Sequence, residues 1–135
     1  MKGKKIALLC VAVILIVATF LRLCGNQDTI QACVIANQGY ESQKELENAK
    51  EEENLEEGNA IFASIFFVES PKGVEYTVKW YRNDEEIKAE TKATKKDQKD
   101  ILVYELEADQ VTKGTIKIEI RYKDTVLLTK KCNIQ

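Results

Sequence analysis

The sequence predicts an all-β, antiparallel fold, a sandwich or barrel, over residues 59–135, behind an N-terminal apolar segment (1–25) and an acidic connector (26–58). Three observations carry this expectation. First, hydrophobicity alternates with period two: Ile116, Ile118, Ile120 and Tyr122 share one face of a run whose other face is Thr115, Lys117, Glu119 and Arg121, the pattern of a strand with one wet side. Second, the runs are separated by turn chemistry at Pro71-Lys72-Gly73, Asn83-Asp84, Lys113-Gly114 and Lys123-Asp124, where the last pair joins two strands as a tight hairpin. Third, no helical period intervenes between them.

Taken in order, the strands are Ile61/Ala63/Ile65/Phe67, Tyr76/Val78/Trp80, Leu102/Tyr104/Leu106, the 115–122 run, and a final run with Val126, Leu128, Cys132 and Ile134 on one side, where Lys130 also falls. By this alternation Trp80 and Tyr76 face inward and belong to the core rather than to a binding platform. Ahead of them, residues 29–36 (TIQACVIA) are apolar enough for one short strand, which a small domain would need to complete its core.

The N-terminus places Lys2, Lys4 and Lys5 before the apolar run Ile6–Leu21, followed by Arg22. Basic residues ahead of such a run mark a secretory signal or a signal anchor with the lysines in the cytoplasm. The run is just short of a full span, so three fates stay open: a retained membrane helix, lipoprotein processing at Cys24, or cleavage after Leu23-Cys24-Gly25. Arg22 and Leu23 depart from a lipobox, while Cys24-Gly25-Asn26 resembles a lipoprotein's mature start. All three fates place the rest of the chain outside the cytoplasm.

Charge is unevenly distributed. Residues 1–36 carry a net +3, residues 37–58 a net −6, and residues 59–135 a net +1. A near-neutral domain lacks the concentrated basic face of a nucleic-acid binder. The connector, Tyr40–Asn59, has little apolar content and crowded glutamates, so it reads as a frayed helix or a disordered spacer; it has no EF-hand ligand spacing. The chain has no histidine, which removes Ser-His-Asp and Cys-His mechanisms and His-ligated metals. No Cys-x-x-Cys pair and no phosphate loop occur. The expectation is a protein that is not an enzyme, with no catalytic residues, cofactor or metal.

The run Val78-Lys79-Trp80-Tyr81-Arg82-Asn83-Asp84-Glu85-Glu86-Ile87 resembles the third strand, turn and return strand of immunoglobulin-like domains. Ala63-Ser64-Ile65 before it and Lys113-Gly114-Thr115 with the Ile116/Ile118/Ile120 strand after it keep that order. The whole is similar to small immunoglobulin-like modules of membrane-anchored or lipidated surface proteins of Gram-positive bacteria. It departs from antibody-type domains in lacking the two cysteines of the central inter-sheet bridge. The resemblance implies an immunoglobulin-like sandwich at the cell membrane, its C-terminal domain extracytoplasmic, and a first strand beside the last.

On that arrangement Cys33 and Cys132 are expected to bridge the first strand to the last, the alternative being two unpaired thiols. Phe62, Phe66 and Val68 lie on the supposedly wet side of their strand and need a cover. The 29–36 strand or the connector could supply it; otherwise the three form a partner face. Lys92, Lys95, Lys96 and Lys99 read as a solvated loop, with contact to an anionic polymer or headgroups as the sharper reading. Two functions result: a membrane-tethered module presenting its domain to an envelope protein or cell-wall polymer, or an accessory subunit whose Phe62/Phe66 strand completes a partner's sheet by edge addition.

Overall fold

A computed structural model describes residues 29–135. The apolar run, Cys10 and the candidate lipidation site Cys24 lie outside the described residues, and with them the N-terminal signal or anchor. No helix among the described residues is long and apolar enough to cross a membrane.

Among the described residues eight strands, one short α-helix and a 3-10 turn (Ala108–Gln110, between β6 and β7) occur, the strands and α-helix in the order β1 (Ile30–Ala36), α1 (Gln43–Asn48), β2 (Asn54–Leu55), β3 (Ile61–Ser70), β4 (Glu75–Arg82), β5 (Glu85–Ala93), β6 (Gln98–Leu106), β7 (Gly114–Tyr122) and β8 (Thr125–Ile134). They form two sheets, β1-β3-β6 and β2-β8-β7-β4-β5. All pairings are antiparallel except the two-residue β2, which runs parallel to β8. Setting β2 aside, the first, second and fifth strands oppose the third, fourth, sixth and seventh. This is an immunoglobulin-like connectivity in which the fourth strand sits beside the third, as in variable-type domains, rather than beside the fifth.

The strands form where alternation demanded burial. Ile61, Ala63, Ile65 and Phe67 from β3 meet Val78 and Trp80 from β4, Tyr104 and Leu106 from β6, and Ile116, Ile118 and Ile120 from β7 in one core. Trp80 is fully buried. Two phenols tie the sheets: Tyr104 donates to the Tyr76 carbonyl (2.7 Å), and the hydroxyls of Tyr76 and Ser70 share a bond (2.7 Å). The Tyr76 ring stacks on Phe67 at 4.0 Å.

At the β4–β5 turn Asn83 and Asp84 both take positive φ, as a two-residue type I′ hairpin requires. Asn83 Oδ1 also accepts from the Thr115 N–H (3.0 Å) and sits where a Cβ on Gly114 would be, so glycine there lets the turn close on β7.

Three expectations are corrected. The connector is not a spacer. Leu46 of α1 is buried with Phe66, Val34 and Ala36 on the outer face of the three-stranded sheet, and Leu55 of β2 enters the main core. Six residues cannot sustain a helix alone, but this one has an apolar sheet to lie on and a cap, with Ser42 Oγ accepting from the Glu45 N–H. The folded unit therefore begins at β1 rather than at residue 59.

The final strand is also out of register with the expected alternation. A bulge between Ile120 and Arg121 lets Ile120 oppose Leu128 while Arg121 opposes Val126. The extra residue, Leu127, is buried and Val126 is 38% exposed.

The third correction concerns the cysteines: Cys33 and Cys132 are free, buried thiols. Both face the core, as expected, but β1 and β8 belong to opposite sheets. The two strands are not hydrogen-bonded neighbours and meet only across the open flank of the sandwich, where each thiol packs as a small apolar side chain. Lys130 occupies this flank, donating to the Cys33 carbonyl and pairing with Glu51.

Candidate functional site: the groove along β6

The outer face of the three-stranded sheet carries Phe62, Ser64, Phe66 and Val68 from β3, with Ile101 and Val103 of β6 opposite Phe66 and Ser64. Much of it is covered by the segment after β1. Gly39 crosses so close to Val103 that a Cβ there would stand 2.7 Å from its Cγ1. One residue on, the Tyr40 N–H donates to the buried Ser64 hydroxyl at 2.9 Å. Leu46 then completes the cover.

The expected partner face is accordingly divided. Phe66 is only 4% exposed, and Val68 packs half-buried against the same cluster. Phe62 remains at the margin of the cover, half-buried, in an open groove of about 1110 Å³ that follows β6. The apolar floor of the groove is Phe62, Ile101 and Val103; its rim is charged, with Glu41 and Glu105 near Lys72, Lys92 and Lys95. Apolar floor and polar rim are the anatomy of a small protein-recognition surface.

Neither edge of the three-stranded sheet is bare. Lys92 and Lys88 reach from β5 to the β6 carbonyls of Val103 and Glu105, both at 2.6 Å. Lys130 does the same for Cys33 on β1. These carbonyls point away from β3, where an added strand would bind. The Lys88 ammonium also pairs with Glu107 at 2.8 Å, and that hydrogen bond holds the Glu107 carboxyl below its ordinary range. The Phe62/Phe66 strand is itself unsuited to edge addition, because β3 is paired on both sides.

The lysine loop splits likewise. Lys92 faces β6 and lies 5.5 Å over the Tyr104 ring. Lys95, Lys96 and Lys99 are exposed, in a loop that Asp100 ties together by accepting from the N–H groups of Lys95 and Ile101.

A second polar cluster lies on the outer face of the larger sheet. Glu119 Oε1 accepts from Tyr81 (2.9 Å) and from Arg121 (2.8 Å). Partial burial opposes its charge, but the hydrogen bonds from Arg121 and Tyr81 prevail and hold the carboxyl below its usual range. A carboxylate so saturated positions its neighbours and is not available as a base. Among the described residues, no three His, Cys, Asp or Glu side chains converge to hold a metal ion.

No family model and no curated protein matches the chain. Among solved structures it is similar to an immunoglobulin-like protein of Pseudomonas aeruginosa, at 13% identity and a TM-score of 0.48, with 76% of this chain and 96% of that one covered. It is also similar to the CARDB domain of the PF1109 protein of Pyrococcus furiosus, at 11% identity and a TM-score of 0.41 over 77% and 86% of the two chains. A Listeria innocua β-glucosidase matches at 10% identity and a TM-score of 0.47, over 61% of this chain and 14% of the enzyme. The immunoglobulin-like assignment stands on the strand order.

Proposed function

We propose that the chain is a non-enzymatic, membrane-tethered interaction module that presents an immunoglobulin-like domain outside the cytoplasm to an envelope protein or polymer, as Gram-positive surface proteins of this build do. The observation that carries the reading is the order of parts along the chain. A basic, then apolar N-terminus closes at Leu21 and β1 begins at Ile30, so little sequence separates the proposed tether from the sandwich. The groove floored by Phe62, Ile101 and Val103 is the face we assign to the partner, since half-buried apolar residues within a charged rim combine contact area with solubility.

Protease treatment of intact cells followed by membrane fractionation tests the reading: the full chain is expected in the membrane fraction, with its C-terminal domain digested from outside. Recovery in the soluble fraction, or protection until the cells are lysed, would overturn it. A photo-crosslinking side chain at Val103 is expected to trap an envelope component that the same group at Thr91, on the far face of β5, does not.

A further inference from the structure

Residues 37–53 run from the end of β1 to the start of β2, and among them Leu46 alone is buried. The segment nevertheless lies over a continuous apolar face. On the outer side of the three-stranded sheet the registers set Val34, Ser64 and Val103 in one row and Ala32, Phe66 and Ile101 in the next. The groove floored by Phe62, Ile101 and Val103 is the part of this face that the segment leaves open. Little holds the segment down. One hydrogen bond ties its backbone to this sheet, from the Tyr40 N–H to the Ser64 hydroxyl at 2.9 Å. One side chain, Leu46, is buried with Val34, Ala36 and Phe66, while Tyr40 and Ala49 pack half-buried beside it. Six glutamates against two lysines give the segment a net charge of −4, and among the described residues Glu51 alone of the six pairs with a cation, Lys130. At six residues, α1 is too short to hold its shape off the sheet. The two ends of the segment, by contrast, are fixed, since β1 is laddered to β3 and β2 to β8.

We propose that residues 37–53 form a displaceable strap that competes in cis with the groove's partner. With the strap down, the partner meets Phe62, Ile101 and Val103; with it lifted, the contact extends to Phe66 and Val34. The inference rests on the groove reading above and adds the regulation of that site. Held by so few buried groups, the strap lifts at a lower free energy than unfolding of the sheet beneath it. Anchored at both ends, it stays close enough to return quickly. Strap and groove also touch. Gly39 passes so close to Val103 that a Cβ there would stand 2.7 Å from its Cγ1, so what displaces one bears on the other. A site open for only a fraction of the time binds more weakly by that fraction, and a strap lifted about one part in a hundred weakens the partner about a hundredfold relative to the bare face.

The test places a thiol under the strap. Ala36 is buried there beside Leu46, whereas Cys33 and Cys132 lie in the main core and report unfolding of the whole domain. In the full chain carrying Ala36→Cys, alkylation by N-ethylmaleimide is followed peptide by peptide by mass spectrometry. The introduced thiol should react about a hundredfold faster than Cys33 and Cys132, and its rate should vary little with urea while theirs rises steeply. Should Ala36→Cys fail to fold, hydrogen exchange at the Leu46 and Ala49 amides of the parent, against those of β3, reads the same opening. Gly39→Ala adds the Cβ that collides with Val103 only while the strap is down, and should quicken the introduced thiol about tenfold. A diazirine-bearing lysine analogue in place of Lys99, exposed beside Val68, should then trap the envelope partner about tenfold more in the Gly39→Ala chain than in the parent. Equal alkylation of the introduced thiol and of Cys33 and Cys132 would overturn the strap, since it would then leave only as the domain unfolds. Faster alkylation in Gly39→Ala with unchanged crosslinking would overturn the competition and leave the groove reading standing. Absence of a crosslink in either chain would overturn the groove reading and the regulation with it.

Discussion

Single residues set the stability of this sandwich through burial and through a few polar contacts placed inside it. Trp80 fills the centre, so Trp80→Ala leaves a cavity costing about 3–5 kcal/mol, a large share of what so small a domain has; thermal melting is expected to lose its cooperative transition. Tyr104→Phe keeps the ring but strands the Tyr76 carbonyl, and about 1–3 kcal/mol should be lost in urea denaturation. The thiols make a pH-dependent contribution. Burial pushes Cys33 up to about 12 and Cys132 up to about 11, from an ordinary 9.0. Between those values the unfolded chain releases protons that the native state retains. Their stabilisation is therefore complete below pH 9 and lost as pH rises toward 11 and 12, at up to about 1.4 kcal/mol per pH unit per thiol. Denaturation midpoints at pH 8, 9.5 and 10.5 should fall more steeply for the parent than for Cys33→Val/Cys132→Val. Near neutral pH neither thiol should react with a disulfide reagent until the domain is unfolded, and then both should react without prior reduction.

At the scale of elements, what was legible in the sequence is what burial on one face writes there. β3, β4, β6 and β7 alternate because one side of each is core, and their boundaries follow. β5 has almost no such signal: as an edge strand it buries little, Ile87 being its largest apolar side chain, and only the resemblance pointed to it. The bulge at Leu127 reverses the alternation of β8 by one residue, which no periodic reading can show. The fold of the connector is not legible because Leu46 and Leu55 are too few to fold a helix or strand in isolation; Leu46 is decisive only against the apolar outer face of the smaller sheet, and Leu55 only against the main core. Of the candidate site, the apolar character of Phe62, Phe66 and Val68 opposite the core face is legible in the sequence, yet which of them stays open depends on where Gly39 and Tyr40 cross, and that is tertiary. Leu46→Ala should therefore cost about 2–4 kcal/mol despite its place in a six-residue helix. Limited proteolysis is expected to cut first between residues 41 and 53, with the remaining sandwich persisting longer.

For the whole molecule, the question is what closes the two edges of the smaller sheet against a second chain. The three-stranded sheet is narrow, and both its edge strands, β1 and β6, have carbonyls pointing outward. Each such row would template a second copy. The lysines of the other sheet close both: Lys88 and Lys92 at β6, Lys130 at β1. Their long stems cross the open flank of the sandwich while their ammonium groups take the lone pairs an incoming N–H would need. A salt bridge of this exposure adds little stability, so the consequence of removing it should appear in association rather than in folding. Lys88→Met/Lys92→Met keeps the stems and removes the charges; it is expected to melt within a few degrees of the parent. The same variant should move from monomer toward dimer as concentration rises in sedimentation velocity, with Lys130→Met adding a second mode through β1. A variant that stayed monomeric at every concentration would show that strand twist or side-chain bulk, and not these lysines, keeps the edges apart.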